Sequence, residues 1–176
     1  MAEHIEGVMI STEQIKEAVS RIAKQINEDY KGKNLVLLVV LKGSLPMAAD
    51  LMREIDLPVE IDFIRLSSYG NLSYSCGKVT MRDGYIPDVE GKDILVVEDI
   101  IDTGLTLSYL RDELNKRGAA SVKICTLLNK EARREKPVHV DYVGFSIENE
   151  FVIGYGLDYN EKYRNLPYIG ILKLDD

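Results

Sequence analysis

Ile94-Leu95-Val96-Val97-Glu98-Asp99-Ile100-Ile101-Asp102-Thr103-Gly104-Leu105-Thr106 carries four consecutive apolar residues into a cluster of acids, hydroxyls and one glycine. An apolar run rich in branched side chains is the pattern of a strand buried on both faces, as in a parallel sheet. A helix is expected directly after it, with Leu107, Leu110 and Leu114 inward, Lys116 and Arg117 in the last turn and Gly118 past the end. Leu35 to Val40 upstream and Val122 to Leu128 downstream are runs of the same kind. Ser11 to about Tyr30 reads as a helix, because Ile15, Ala18, Val19, Ile22 and Ile26 recur at helical period. Ser11 and Gln14 have capping-box spacing, Ile10 and Ile15 are placed as a staple, and Gly32 is the stop.

The remaining segments fill in the same alternation. Pro46 to Arg53 is expected as a short helix, Val59 to Phe63 as an alternating strand and Lys78 to Arg82 as a returning one. Ser67 to Gly77, polar and glycine-containing, reads as a long loop of the kind used for lids. Tyr142 to Ile147 and Phe151 to Tyr155 are expected as shorter strands, and Asp158 to Asp176 shows no single period. Strands alternating with helices predict an α/β fold, a mostly parallel central sheet flanked by helices. Ligands of such sheets bind beyond the carboxyl ends of the strands.

Composition narrows the function. At 176 residues, one domain spanning 1–176 is expected, at roughly 100–200 residues per domain. The net charge of −7 disfavours a general binder of phosphate backbones, so no nucleic-acid partner is expected. Two cysteines, Cys76 and Cys125, and two histidines are too few for a zinc site or a disulfide framework, which favours a reduced, cytoplasmic setting. The amino terminus lacks a basic region followed by an apolar run, and the longest apolar run, Leu35 to Leu41, is far short of the ~20 residues a membrane span needs. A soluble protein without a membrane partner is the expectation.

The chemistry concentrates at Glu98 to Thr106. Hydroxyls, a glycine and free N–H groups at a helix start make an anion cradle. Three carboxylates beside it, Glu98, Asp99 and Asp102, would repel a bare phosphate. Sugar hydroxyls and a hard divalent cation are their natural partners. A sugar phosphate is therefore the ligand class the loop suits. The segment lacks the lysine of the Walker pattern, and Gly154-Tyr155-Gly156 has Tyr159 where a dinucleotide fingerprint needs its third glycine.

Val97 to Gly104 resembles the phosphoribosyl-pyrophosphate motif of type I phosphoribosyltransferases. Leu41-Lys42-Gly43-Ser44 resembles the pyrophosphate loop of their hypoxanthine-guanine branch, and Ser68-Tyr69-Gly70 falls where that branch has its mobile lid. Phe151-Val152-Ile153-Gly154-Tyr155-Gly156-Leu157-Asp158-Tyr159-Asn160-Glu161, followed by Arg164, resembles its base-binding segment. The four motifs stand in the family's order and span residues 41–164.

The resemblance implies the family's fold, with a small hood and a mobile loop, and transfer of phosphoribose to a 6-oxopurine with release of pyrophosphate. It implies that Asp102, Thr103, Gly104, Leu105 and Thr106 hold the 5′-phosphate. Leu105 stands where some relatives carry lysine, and its backbone can still donate. Glu98 and Asp99 would face the ribose hydroxyls, directly or through Mg²⁺, and Asp158 would hold a second Mg²⁺. Asp102 would also be the catalytic carboxylate near purine N7. Lys42, Gly43 and Arg164 would bind pyrophosphate, and the Leu41–Lys42 peptide can be cis in the family. Phe151 would stack on the purine, with Val152 and Asp158 reaching it through the backbone. Lys130 would donate to the 6-oxo group, which clashes with the donor of adenine. Ser68 and Tyr69 would close over the site. A homodimer or homotetramer is implied too. Taken singly, Lys42 reads as a solvated lysine and Phe151 as core, while Arg164 stands open between a surface ion pair and a ligand, and Lys130 between a helix-start or surface lysine and a ligand. A non-catalytic regulator that binds phosphoribosyl pyrophosphate is the competing reading, and a phosphate-binding signalling module is a third.

Overall fold

The computed structural model of the chain describes residues 3–68, 79–81 and 85–174. The capping box forms: Ser11 Oγ accepts from Gln14 N–H at 3.2 Å, and Gln14 Oε1 accepts from Ser11 N–H at 2.8 Å. Helix α1 (Thr12–Asp29) runs from this cap, and its buried face is Ile15, Ala18, Val19, Ile22, Ala23 and Ile26. Strand β2 (Leu35–Leu41) is buried at every residue from Leu35 to Val40. Alternate side chains of a strand point to opposite faces. Accordingly Leu35, Leu37 and Val39 pack with α1 and α2 (Leu45–Glu54), while Val36, Leu38 and Val40 pack with α3 (Leu105–Lys116).

Strand β3 (Val59–Ser68) pairs parallel with β2 on one side, and β5 (Asp93–Ile101) pairs parallel with it on the other. Beyond β5 lie β6 (Ser121–Asn129) and β7 (Tyr142–Ser146), both parallel, and β4 (Val79–Met81) is an antiparallel edge beyond β3. The order β4-β3-β2-β5-β6-β7 reverses direction between β2 and β5. Such a switch point opens a crevice at the carboxyl ends of the two strands. The turn after Leu41 and the acidic end of β5 both open onto it.

A second sheet covers this end of the molecule. It consists of β1 (Glu3–Ile10), β9 (Ile169–Leu174) and the two-residue β8 (Val152–Ile153), in the order β1-β9-β8, all antiparallel. Neither β1 nor β9 is evident from residue period. Two register shifts, between Ile5 and Gly7 and between Val8 and Ile10, break the alternation. The tail without period thus contains a strand. Phe151 to Tyr155 forms a shorter strand than expected, because Gly154 (φ +96°) and Tyr155 (φ +46°) leave extended backbone. Ser68 belongs to β3 rather than to a loop, since its backbone pairs with Val79 of β4. Tyr69 and the rest of the expected lid, through Gly77, lie outside the described residues, as does Lys78 at the start of the expected returning strand.

Candidate active site

Helix α3 begins at Gly104 (φ +80°), which has no side chain to cap it, and of its first N–H groups Leu105 reaches only the Thr103 hydroxyl, at a long 3.4 Å. Its leading N–H groups therefore open onto a cavity of about 230 Å³ lined by Glu98, Ile100, Ile101, Asp102, Thr103, Gly104, Thr106 and Leu107. Leading N–H groups and the helix dipole favour an anion there.

Of the three carboxylates, Glu98 and Asp102 line the cavity and Asp99 lies against the turn at Gly43. Glu98 and Asp99 are adjacent and share a side-chain hydrogen bond. Burial, reinforced by the Asp99 charge, holds the Glu98 carboxyl well above its ordinary range. Burial also raises Asp99, against the pull of its bonds to Glu98 and to the Ile100 N–H and of Arg164. Asp102 has a separate arrangement. Its Oδ2 lies 3.2 Å from Arg133 Nη1, its backbone carbonyl accepts from Arg134 Nε at 3.1 Å, and its Oδ1 is buried without a partner. The Arg133 pair reduces the charge that an incoming phosphate meets, and the raised Glu98 carboxyl gives up its proton less readily than a free one.

Removing the Glu98 charge should stabilise the metal-free chain. A carboxyl raised on folding binds its proton more tightly folded than unfolded, so stability falls as pH rises from the unfolded toward the folded pKa. Glu98→Gln is expected to melt above the parent in chelator, by a margin that widens from pH 4.5 to pH 8. A variant that melts lower at pH 8 would mean that Glu98 is ionised and well paired in the folded chain.

The turn after β2 completes the crevice. The Leu41–Lys42 peptide is cis, and Gly43 sits against Asp99: a Cβ there would lie 1.7 Å from Asp99 Oδ2. Lys42 Nζ is 2.7 Å from Glu161 Oε2. Arg164 donates from Nη1 to Gly156 O at 2.7 Å and pairs through Nη2 with Asp158 Oδ1 at 3.0 Å, and its Nε is buried without a partner. Leu41, Lys42, Arg65, Leu66, Glu161 and Arg164 line a second cavity of about 140 Å³.

Lys130 follows β6 and is buried, with Nζ donating to Glu150 O at 2.9 Å and the backbone N–H to Ile101 O at 3.0 Å. Burial sets it apart from an ordinary surface lysine, and its ammonium has further protons to give. Phe151 is not core. It is 48% exposed and meets Tyr159 edge to face, with centroids 5.7 Å apart. Val152 is buried in β8, so its side chain belongs to the core and only its backbone faces outward chemistry.

The structure thus brings Glu98, Asp99, Asp102 and Thr103 to Thr106 together, and Lys42, Gly43 and Arg164 beside them. Among the described residues no three metal-capable side chains cluster. Glu98 and Asp99 nevertheless suit Mg²⁺, which commonly takes one or two carboxylates and fills its shell from substrate and water. Asp158 is committed elsewhere: Oδ1 to Arg164 and Oδ2 to the Glu161 N–H at 2.9 Å. Sequence reasoning missed Arg65, Arg133 and the contact between Gly43 and Gly156. No local pattern marks any of them.

The phosphoribosyl transferase domain family matches the chain over residues 11–160. The hypoxanthine-guanine phosphoribosyltransferase of Bacillus subtilis (strain 168) is 48% identical over 173 residues, 98% of this chain and 96% of that protein. The bifunctional protein TilS/HprT of Listeria monocytogenes serotype 4b is 49% identical over 173 residues, yet the chain spans only 27% of its length. The crystal structure of a hypoxanthine-guanine phosphoribosyltransferase from Bacillus anthracis with a HEPES molecule in its active site superposes with a TM-score of 0.91 at 44% identity, covering 98% of this chain and 100% of that one.

Proposed function

The chain belongs to the phosphoribosyl transferase domain family, and from that membership we propose that it is a purine-salvage enzyme. It transfers the 5-phosphoribosyl group of phosphoribosyl pyrophosphate to N9 of hypoxanthine and guanine, giving IMP or GMP and pyrophosphate. One observation carries the reading: a helix that starts on a glycine and a cation-lined cavity flank the same switch point, with the unpartnered Asp102 Oδ1 buried beside the helix start.

The residues divide the work. Asp102 to Thr106 bind the 5′-phosphate, and Glu98 and Asp99 bind the ribose hydroxyls. Lys42, Gly43 and Arg164 receive the departing diphosphate and neutralise its charge. Phe151 stacks on the purine, the Val152 and Asp158 backbones read its edge, and Lys130 donates to its 6-oxo group. Asp102 Oδ1 accepts or shares the N7 proton as N9 attacks the anomeric carbon. Ser68 and Tyr69 close the site against water. Glu98 and Asp99 would hold Mg²⁺, with Asp158 a further ligand only once released from Arg164 and the Glu161 N–H, and the ion when bound would supply positive charge at the leaving diphosphate. The enzyme is cytoplasmic and a homodimer or homotetramer, with small-molecule substrates and neither nucleic-acid nor membrane partners. The net charge of −7 supports this. Among the described residues no helix is long and apolar enough to cross a membrane.

Four purines assayed with phosphoribosyl pyrophosphate and Mg²⁺ test the proposal. Hypoxanthine and guanine should release pyrophosphate and adenine should not. Ligand binding without turnover on any of them would favour a regulator instead. Lys130→Ala is expected to lower kcat/KM for 6-oxopurines about 10- to 100-fold, the scale of a hydrogen bond from a charged donor, with less effect on sugar-phosphate binding. Equal losses on both substrates would remove Lys130 from selectivity.

A further inference from the structure

Asn160 and Glu161 occupy a two-residue turn in which Tyr159 and Lys162 exchange both backbone hydrogen bonds, at 3.1 and 3.0 Å. Their φ angles are +50° and +63°. This is the pattern of a type I′ turn, whose second central position favours glycine. A glutamate there bears a Cβ penalty that the turn itself does not require.

Its side chain reaches both cations assigned to the diphosphate. Oε2 lies 2.7 Å from Lys42 Nζ and Oε1 lies 3.3 Å from Arg164 Nη2. These three residues, with Arg65, line one cavity. One carboxylate thus bridges the two cations, with one oxygen to each. We propose that Glu161 is an internal anion that clasps the pyrophosphate cations of the empty enzyme and is displaced when diphosphate enters. It weakens diphosphate binding, and by reclosing it favours product departure. Like charges cannot share Lys42 and Arg164 without repulsion, so the clasp and the ligand exclude each other. The proposal rests on the reading of Lys42 and Arg164 as pyrophosphate ligands and adds a competitor to that site.

The test is calorimetric titration of inorganic pyrophosphate, in the presence of Mg²⁺, into the full chain and into Glu161→Gln, Glu161→Gly and Lys42→Ala. Both Glu161 variants should bind pyrophosphate about 3- to 10-fold tighter, the scale of losing two partly exposed ion pairs. Pyrophosphate should inhibit their forward reaction at correspondingly lower concentration, with the purine KM unmoved. Glu161→Gly also supplies the residue the turn favours, so its melting temperature should equal or exceed that of the parent, which separates the effect from misfolding. Unchanged or weaker pyrophosphate binding in both Glu161 variants, with Lys42→Ala weakened, overturns the clasp and leaves the site assignment standing. Unchanged binding in Lys42→Ala overturns the site assignment, and the clasp with it.

Discussion

Replacing Asp102 with asparagine should cut turnover by about 10²–10⁴-fold, the range ascribed to a positioned proton acceptor, while phosphoribosyl pyrophosphate still binds. The substitution preserves shape and removes charge. Oδ2 is engaged by Arg133 at 3.2 Å, and Oδ1 is buried without a partner. An unsatisfied buried acceptor is costly, and a ligand proton satisfies it. The isosteric amide cannot accept a proton at nitrogen, and its carbonyl is a poorer acceptor for charge developing at purine N7. In the proposed mechanism sugar-phosphate binding depends instead on the backbone N–H groups at the start of α3, which the substitution leaves in place. Pre-steady-state turnover beside calorimetric binding of phosphoribosyl pyrophosphate separates the two effects. Near-normal turnover would remove Asp102 from the chemistry.

Gly156→Ala should cost both stability and activity. The residue has φ +100°, and a Cβ would lie 1.9 Å from Gly43 O and 3.0 Å from Pro46 Cδ. The first neighbour is backbone and cannot rotate away. Overpacking typically costs ~1–3 kcal/mol and left-handed backbone a further ~1–2 kcal/mol for a residue with Cβ. At about 2–4 °C per kcal/mol for a chain of this size, a fall of about 10 °C in Tm is the expected scale. Activity at a permissive temperature should fall as well, because the alanine must push the turn at Gly43, proposed to bind pyrophosphate, away from the segment proposed to bind the purine. A thermal melt and an assay of the same preparation check both. An unshifted melt with full activity would mean that the two turns separate freely.

Much of the fold was legible because its signals are local. The capping box at Ser11, the doubly buried run Leu35 to Val40 and the strand-to-helix passage at Ile94 to Thr106 each depend on neighbours in the chain. The hood was not legible. β1 and β9 meet only across the whole chain, Glu3 opposite Leu174, and their bulges erase the period that would announce a strand. The candidate site divides in the same way. The acidic pair, Asp102 and the hydroxyl-rich helix start are adjacent in sequence, so their chemistry could be read directly. Arg133 reaches Asp102 only because the residues after β6 fold back over the start of α3, where Glu135 and Lys136 donate to Thr103 O. Phe151 read singly as core because an aromatic side chain beside apolar residues gives no sign of its 48% exposure. Lys130 taken singly stayed open between a helix-start or surface lysine and a ligand, because nothing nearby in sequence reveals the Glu150 carbonyl that receives it.

The meeting of Gly43 with Gly156 bears on how such an enzyme could be re-engineered. Segments remote along the polypeptide, one proposed for the leaving group and one for the incoming heterocycle, touch through bare main chain. A graft that imports a new nucleobase preference on residues 151–164 would import a new surface against residues 42–46 as well. Chimeras should therefore exchange the two loops as a pair, and recombination between them would separate parts that fit only their own counterpart.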